Sequence, residues 1–376
     1  MIKIAYLIDT ISCETAGTQK QLLEIIRRLD RDSFSPLLIC LWESEWMREN
    51  TLPCPCTTLG YQGFVKTSFP RVIKKLAHLV REEKIQIIQT FFEDSIFVAF
   101  FAGLILNPSP ILLSSRRDMG LGKESQPWYH GLYAMILPLV NRRFAGIIAN
   151  SEQIKLYVAE RERTSQKKIK VIYNGISIPK QPSCPPALLV KQNRTVWLGV
   201  IASLTPVKRH DLLIRAMAEL RKKISSMDFK VVLLGDGGEQ EHLKKMVDEM
   251  CLGDYVFFEG AVKDVPAYLY NIDIGILCSD REGLSNAIME YMACGVPVVA
   301  TAVGGNVELV DRTNGILVPP GDHLALADAL EQLLRNPELR RTLGKEGKRK
   351  ILENFSWDKS MHELEHYYHS LPEVQL

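Results

Sequence analysis

Twice along these 376 residues, short apolar runs alternate with longer stretches that carry apolar residues at helical spacing. That alternation leaves few folds open. A strand, a covering helix and a second strand in one sheet run parallel, with the crossover right-handed. The first series opens with IKIAYLID and the helical TQKQLLEIIRRL, in which Leu22, Leu23, Ile26 and Leu29 share a face. SPLLICLW, the basic amphipathic FPRVIKKLAHLVREE, IQIIQTF, PILLSS and AGIIANS follow, and KVIYNGISI closes the series. The expected fold is α/β, with a parallel sheet covered by helices on both faces.

Between Pro179 and Pro186 the chain reads PKQPSCPP, too rich in proline for regular structure and the best linker candidate. The pattern then restarts with TVWLGVIAS, HDLLIRAMAELRKKI, KVVLLGDG, EQEHLKKMVDEM and YVFFEGA. IDIGILCS, VPVVAT and GILVPP are its later strands. The expectation is two Rossmann-like domains, residues 1–180 and 181–356. A last amphipathic helix, WDKSMHELEHYYHSL, would either finish the second domain or cross back to the first.

Other classes fall away. The amino-terminal MIKIAYLID has no basic region or small-residue cleavage site and reads as a strand, not a secretion signal. The longest apolar run, Ile96 to Leu106, is well short of the roughly 20 residues of a spanning helix. The eight cysteines show no metal spacing, so they read as small packing residues of a reduced, cytoplasmic protein. Net charge is +2, yet residues 1–180 carry +7 and the remainder −5. A basic first half suits an anionic partner, either a phosphate-bearing substrate or a membrane surface. PWYHGLYAMILPLVNRRF could rest on such a surface or form a buried helix. No nucleic-acid partner is indicated.

The chemistry concentrates in DREGLSNAIMEYMACGVPVVAT, Asp280 to Thr301. Two glutamates eight positions apart, Glu282 and Glu290, lie among apolar residues, where an unpartnered carboxylate is costly. IDIGILCS is a strand, DREGL a loop, Ser285 a helix N-cap, and Gly295 the helix end. In open parallel sheets, ligands bind where strands end and helices begin. Free amides around Leu284 to Asn286 suit a diphosphate, and Gly283 permits close backbone approach. Glu282 would then face neutral hydroxyls rather than phosphate. The alternative is a solvated loop glutamate and an exposed helical one.

Other segments share that placement. In SLTPVKRHD, Lys208 and Arg209 follow a strand, where a cation can neutralise a leaving diphosphate, or they are a solvated loop pair. LLGDGGEQE lacks the third glycine of a dinucleotide fingerprint, since Gln240 holds that position. Gly17 opens a helix after the first strand. In SSRRDMG, Arg116, Arg117 and Asp118 follow a strand end, where the Arg pair suits an acceptor phosphate or forms a structural salt bridge with Asp118.

DREGLSNAIMEYMACGVPVVATAVGGNVELV, with the later NGILVPPGD, resembles family 4 of the retaining GT-B glycosyltransferases, the glycosyl transferases group 1. NSE at Asn150 and IYNGI at Tyr173 also match, and the resemblance spans nearly the whole chain. It implies that Glu282 contacts the donor sugar and is tied most closely to catalysis. Gly283, Leu284 and Ser285 would offer amides to the sugar and diphosphate, and Glu290 would hold the ribose hydroxyls. Lys208 would bind the diphosphate, with Gly17 touching the same phosphates and Trp357 to Tyr368 returning to the first domain. Three positions depart from the pattern: Ser203 stands where the family usually has Arg, Arg117 where a histidine is common, and Ala16 where a first glycine is usual.

The resemblance therefore implies a metal-independent, retaining hexosyltransferase of cell-surface polysaccharide biosynthesis. A nucleotide sugar, UDP-linked, would be the donor and co-substrate, without a separate cofactor. The acceptor would be a glycan or polyprenyl-diphosphate-linked glycan, met at the inner face of the cytoplasmic membrane. A nucleotide-sugar epimerase or hydrolase and a non-catalytic scaffold of the same fold are the rival readings. The broken fingerprint counts against a nicotinamide dehydrogenase.

Overall fold

The computed structural model describes residues 1–64, 66–118, 130–182, 184–189 and 195–372. It divides into two compact units, Met1–Gly175 with Asp358–Leu376, and Ile176–Trp357.

The first unit is built from β1 (Ile2–Ile8), α1 (Gly17–Arg28), β2 (Phe34–Cys40), α2 (Glu45–Glu49), β3 (Cys56–Thr58) and α3 (Phe69–Glu82). It continues through β4 (Ile87–Phe91), α4 (Glu93–Leu104), β5 (Ile111–Arg116), α5 (His130–Arg143), β6 (Gly146–Ala149), α6 (Glu152–Arg161) and β7 (Ile169–Val171). The strands form one parallel sheet in the order β3-β2-β1-β4-β5-β6-β7. Its central strands are near-continuous apolar runs because helices bury both faces. Chain progression reverses between β1 and β4, so the connecting loops part there and leave a crevice at the strands' carboxyl ends.

The second unit holds β8 (Val196–Ile201), α7 (His210–Lys223), β9 (Phe229–Leu234), α8 (Gln240–Glu249), β10 (Val256–Gly260), α9 (Val265–Leu269), β11 (Ile274–Leu277) and α10 (Asn286–Ala293). After these come β12 (Val298–Thr301), α11 (Asn306–Leu309), β13 (Gly315–Val318), α12 (His323–Arg335) and α13 (Pro337–Asn354). Its parallel sheet runs β10-β9-β8-β11-β12-β13, the dinucleotide-fold order with its switch point between β8 and β11. Leu212, Leu213, Met217 and Leu220 of α7 and Leu326, Leu330 and Leu333 of α12 pack into one core with β8 and β9.

Pattern alone left the last helix, α14 (Trp357–His369), without a partner. The structure places it on the first unit. The Tyr368 hydroxyl lies 3.2 Å from that of Tyr6 and donates to Gln89, whose amide reaches Ser115 Oγ at 2.7 Å. The Tyr368 ring packs edge-on against Phe34. All eight cysteines are free; Cys40 and Cys278 are buried as packing residues, whereas Cys251 is exposed just beyond α8. Residues 127–129, which open the expected surface-lying segment, fall outside the described residues. Within α5, Met135 and Leu139 are exposed while Leu137 and Val140 are buried. Among the described residues no helix is long and apolar enough to cross a membrane.

Candidate active site

In the second unit, the loop after β8 meets the loop after β11. These are the two strands of the switch point, and the loops are joined three times. The Asp280 amide donates to the Val207 carbonyl at 2.9 Å. The Lys208 ammonium donates to Glu282 Oε1 at 2.6 Å, and Arg209 Nη1 reaches Asp280 Oδ1 at 3.1 Å. Ser279 Oγ also donates to Glu282 Oε1, at 2.5 Å. A half-buried carboxylate and a cation thus neutralise each other at the position where open parallel sheets take ligands.

Several contacts hold the Glu282 loop. Thr301 Oγ1 donates to Ser279 O at 2.6 Å, and the Gly305 amide donates to Gly283 O at 2.6 Å. Gly304 sits at φ +47°, and a Cβ there would fall 1.8 Å from the Glu282 carbonyl oxygen. Glycine is required at that contact by both backbone conformation and space. Sequence reasoning left Ser279 out; its only signal was a hydroxyl at the end of β11.

Ser285 caps α10 by accepting a hydrogen bond from the Ile288 amide at 3.3 Å. Leu284 and Ser285 are buried, so the helix start meets the loop without a solvated gap. Glu290 is only 7 % exposed, which removes the exposed-helix alternative. Its neighbour Tyr291 fixes the helix: the hydroxyl accepts from the Ile201 amide at 2.8 Å and donates to Gly199 O at 2.9 Å. The ring lies over Gly275, where a Cβ would meet it at 2.4 Å.

Arg209, expected at the diphosphate beside Lys208, is paired with two carboxylates. Its guanidinium pairs with Asp211 (Nε to Oδ1, 2.9 Å) and with Asp280, and these carboxylates, Asp211 first, raise its pKa. The Arg209 backbone is in the left-handed region at φ +50°. Lys208 remains the cation directed at Glu282. His210, the first residue of α7, is 3 % exposed, and neither ring nitrogen has a hydrogen-bond partner among the described residues. Burial, aided by the Lys208 charge, pushes its pKa down to about 4.

In the first unit, Gly17 opens α1 behind Ala16, which offers no capping side chain. Arg116 is corrected from acceptor ligand to structural residue. It is buried, and its guanidinium grips Glu162 at 2.9 and 3.1 Å and Ser114 Oγ at 3.0 Å. Asn141 adds a bond to Glu162 at 2.7 Å. Arg117 donates to Asn174 Oδ1 at 2.6 Å and lies 5.5 Å from the Phe91 ring centre. Loss of hydration lowers its pKa to about 10, which leaves it charged at neutral pH. Asp118 is exposed. Sequence reading passed over Asp9, which follows β1 at the switch point and accepts from Ser95 Oγ at 2.8 Å. Burial, with Asp94 and Glu93 nearby, lifts its pKa to about 7.

Comparison with solved structures places this architecture in the GT-B class. Anabaena HepE, in a complex with UDP and glucose, superposes with a TM-score of 0.80 over 99 % of this chain and 100 % of that one, at 22 % identity. Sucrose-phosphate synthase of Thermosynechococcus elongatus gives 0.83 over 98 % of each chain, at 19 % identity. At such identities the likeness concerns the fold. The model for Glycosyltransferase Family 4 matches residues 15–179, and that for Glycosyl transferases group 1 matches residues 189–350. The chain belongs to this glycosyltransferase family. N-acetyl-alpha-D-glucosaminyl L-malate synthase of Bacillus anthracis is 31 % identical over 172 residues, 46 % of this chain and 44 % of that protein. A GDP-mannose-dependent phosphatidylinositol monomannoside mannosyltransferase of Mycolicibacterium smegmatis is 32 % identical, over 42 % and 43 %. The matched stretch thus spans less than half the length of these curated relatives.

Proposed function

We propose that the chain transfers a hexose or related sugar from a UDP-linked nucleotide sugar to a glycan or lipid-linked acceptor, with retention of configuration. The observation that carries this reading is the Lys208–Glu282 pair at the β8/β11 switch point, with the start of α10 between Glu282 and the buried Glu290. In this reading the diphosphate takes Lys208 from Glu282 and receives the amides of Gly283, Leu284 and Ser285. Glu282, released, accepts hydroxyls of the transferred sugar, and Glu290 accepts those of the ribose. A cation and oriented amides then stabilise the leaving diphosphate as its charge develops, without a metal ion. The second unit serves as donor domain and the first as acceptor domain, with Arg117 and Asp118 near the acceptor. Crystals of HepE with UDP-glucose support the UDP assignment by fold analogy. A cytoplasmic enzyme of cell-surface polysaccharide biosynthesis, peripheral at the membrane's inner face, fits this reading.

Calorimetric titration with UDP, GDP, ADP and their sugar conjugates, with EDTA throughout, tests the reading on wild type and Glu290→Ala. Selective wild-type binding of UDP, weakened in the variant, is the expected result. Selective GDP or ADP binding would replace the base assignment, and no binding at all would favour a non-catalytic scaffold. Release of free sugar or an epimer without acceptor would move the epimerase or hydrolase reading forward.

A further inference from the structure

The carboxyl edge of the first sheet carries an indole that the donor site does not use. Among the described Phe, Tyr and Trp side chains, Trp42 alone is exposed, at 38 %. It stands just beyond β2, and the backbone there is held from both sides. The Trp42 amide donates to the Asp9 carbonyl at 3.0 Å, and the Tyr61 amide donates to the Leu41 carbonyl at 2.8 Å. The indole lies nearly parallel to the buried Tyr61 ring, with 19° between planes and 6.4 Å between centres. Tyr61 in turn meets Phe69 edge-on at 6.3 Å. Packed rings thus back the indole and fix its orientation. A scattered apolar side chain on a surface is ordinary. A braced indole at the edge where parallel sheets take ligands is not.

The polar group beside it is Asp9, which follows β1, the strand between β2 and β4. Asp9 is half-buried, and its carboxyl accepts from Ser95 Oγ of α4 at 2.8 Å. The chain passes from β4 to α4 through Phe92 alone, at φ +71° and ψ 165°, a backbone region that belongs essentially to glycine. This sharp turn brings the start of α4 against Asp9. The charges that act on Asp9 are those of Asp94 and Glu93, both negative. A phosphate or carboxylate ligand would be repelled at this point, whereas a neutral hydroxyl can donate to a carboxylate.

We propose that Trp42 and Asp9 form a sugar subsite for the acceptor, taking an uncharged hexopyranose ring with its C–H face on the indole and a hydroxyl on the Asp9 carboxyl. Ring C–H groups are weakly positive and match the negative face of an aromatic ring. This assignment rests on the reading of the first unit as acceptor domain and names what that domain takes. The acceptor glycan presents a neutral hexose to this edge, and any phosphate it carries lies away from Asp9.

The test uses the full chain labelled with 5-fluorotryptophan, with and without UDP, and Trp42→Phe to assign the Trp42 fluorine signal. The probes are the methyl pyranosides of glucose, galactose, mannose and N-acetylglucosamine, each beside its 6-phosphate. At least one neutral glycoside should shift the Trp42 signal saturably. Its 6-phosphate should bind on the order of tenfold more weakly, because like charges meet at Asp9. Saturation-transfer spectra of the glycoside read the variants. Trp42→Ala and Asp9→Ala should each weaken binding by about tenfold, the scale of one aromatic contact or one hydrogen bond to a charged group. Trp42→Phe should keep most of it, and UDP affinity should stay at the wild-type value in all three. Preference for the 6-phosphates, glycoside binding that both alanine variants retain, or no Trp42 shift beside normal UDP binding would overturn the proposal and leave the donor reading standing. A glycoside shift in a chain that binds no nucleoside diphosphate would do the reverse.

Discussion

The Lys208 ammonium and Glu282 Oε1 lie 2.6 Å apart although 74 residues separate them in sequence. Each group is held by the other, so a diphosphate at Lys208 would compete with Glu282 for the ammonium. Removing Glu282 should therefore leave Lys208 more available to a diphosphate. Glu282→Ala is expected to bind UDP as tightly as wild type or more tightly, while turnover falls on the order of 100-fold or more. Lys208→Ala should lose both. Calorimetry beside steady-state kinetics reads the split, and a parallel fall of affinity in both variants would falsify the assignment.

Glu290 is nearly inaccessible in the second turn of α10. If it accepts ribose hydroxyls, Glu290→Ala removes hydrogen bonds to a charged acceptor, each worth about 1.5–3 kcal/mol. The expected loss in UDP affinity is about 10- to 100-fold, with inorganic diphosphate affinity nearly unchanged. An equal loss for both ligands would point to a collapsed helix instead.

Gly304 touches the backbone of the catalytic-loop candidate so closely that no side chain fits. Gly304→Ala must move Glu282 and adopt a left-handed backbone, together costing about 2–4 kcal/mol. Gly321 has φ +79° and open space around it, so Gly321→Ala bears the backbone cost alone, about 1 kcal/mol. Urea midpoints and turnover of the two variants should differ accordingly.

Arg116 and Glu162 form a buried, two-pronged ion pair. Arg116→Met strands the carboxylate and should destabilise the first unit by about 3–5 kcal/mol, and Arg116→Met/Glu162→Met should recover much of that. UDP affinity should not change in either. A loss of acceptor use without loss of stability would return Arg116 to the acceptor site.

Two buried groups tilt stability with pH in opposite directions. His210 is held neutral, with its pKa lowered by burial from 6.5 to about 4. Between those values the unfolded chain binds more protons, so this contribution is lost as pH falls from 6.5 toward 4. Asp9 is raised from 3.8 to about 7, first by burial and then by Asp94 and Glu93. The folded form binds the extra proton, and this contribution is lost as pH rises from about 4 through 7. Denaturation across pH 4–7 should show the His210 slope vanish in His210→Phe and the Asp9 slope vanish in Asp9→Asn.

Periodicity and turn residues determined much on their own. Apolar runs alternating with amphipathic helices specify parallel sheets because a strand buried on both faces must be apolar throughout. Ser285 before Asn286–Ala293, and Gly295 after it, marked the helix ends because their local hydrogen bonding and backbone freedom act within a few residues. Contacts across the sheet order were not legible in that way. The Lys208–Glu282 pair follows from β8 lying beside β11, and the two loops meet only once those strands pair. The same holds for Arg116 and Arg209: a charged side chain reads identically in sequence whether it faces ligand, solvent or a buried acid. Glu162 and Asp280 are the acids that these two side chains meet in the fold, and Tyr6 with Gln89 fixes where the last helix packs. Each of these depends on partners 46 to 362 residues away, which local pattern cannot name.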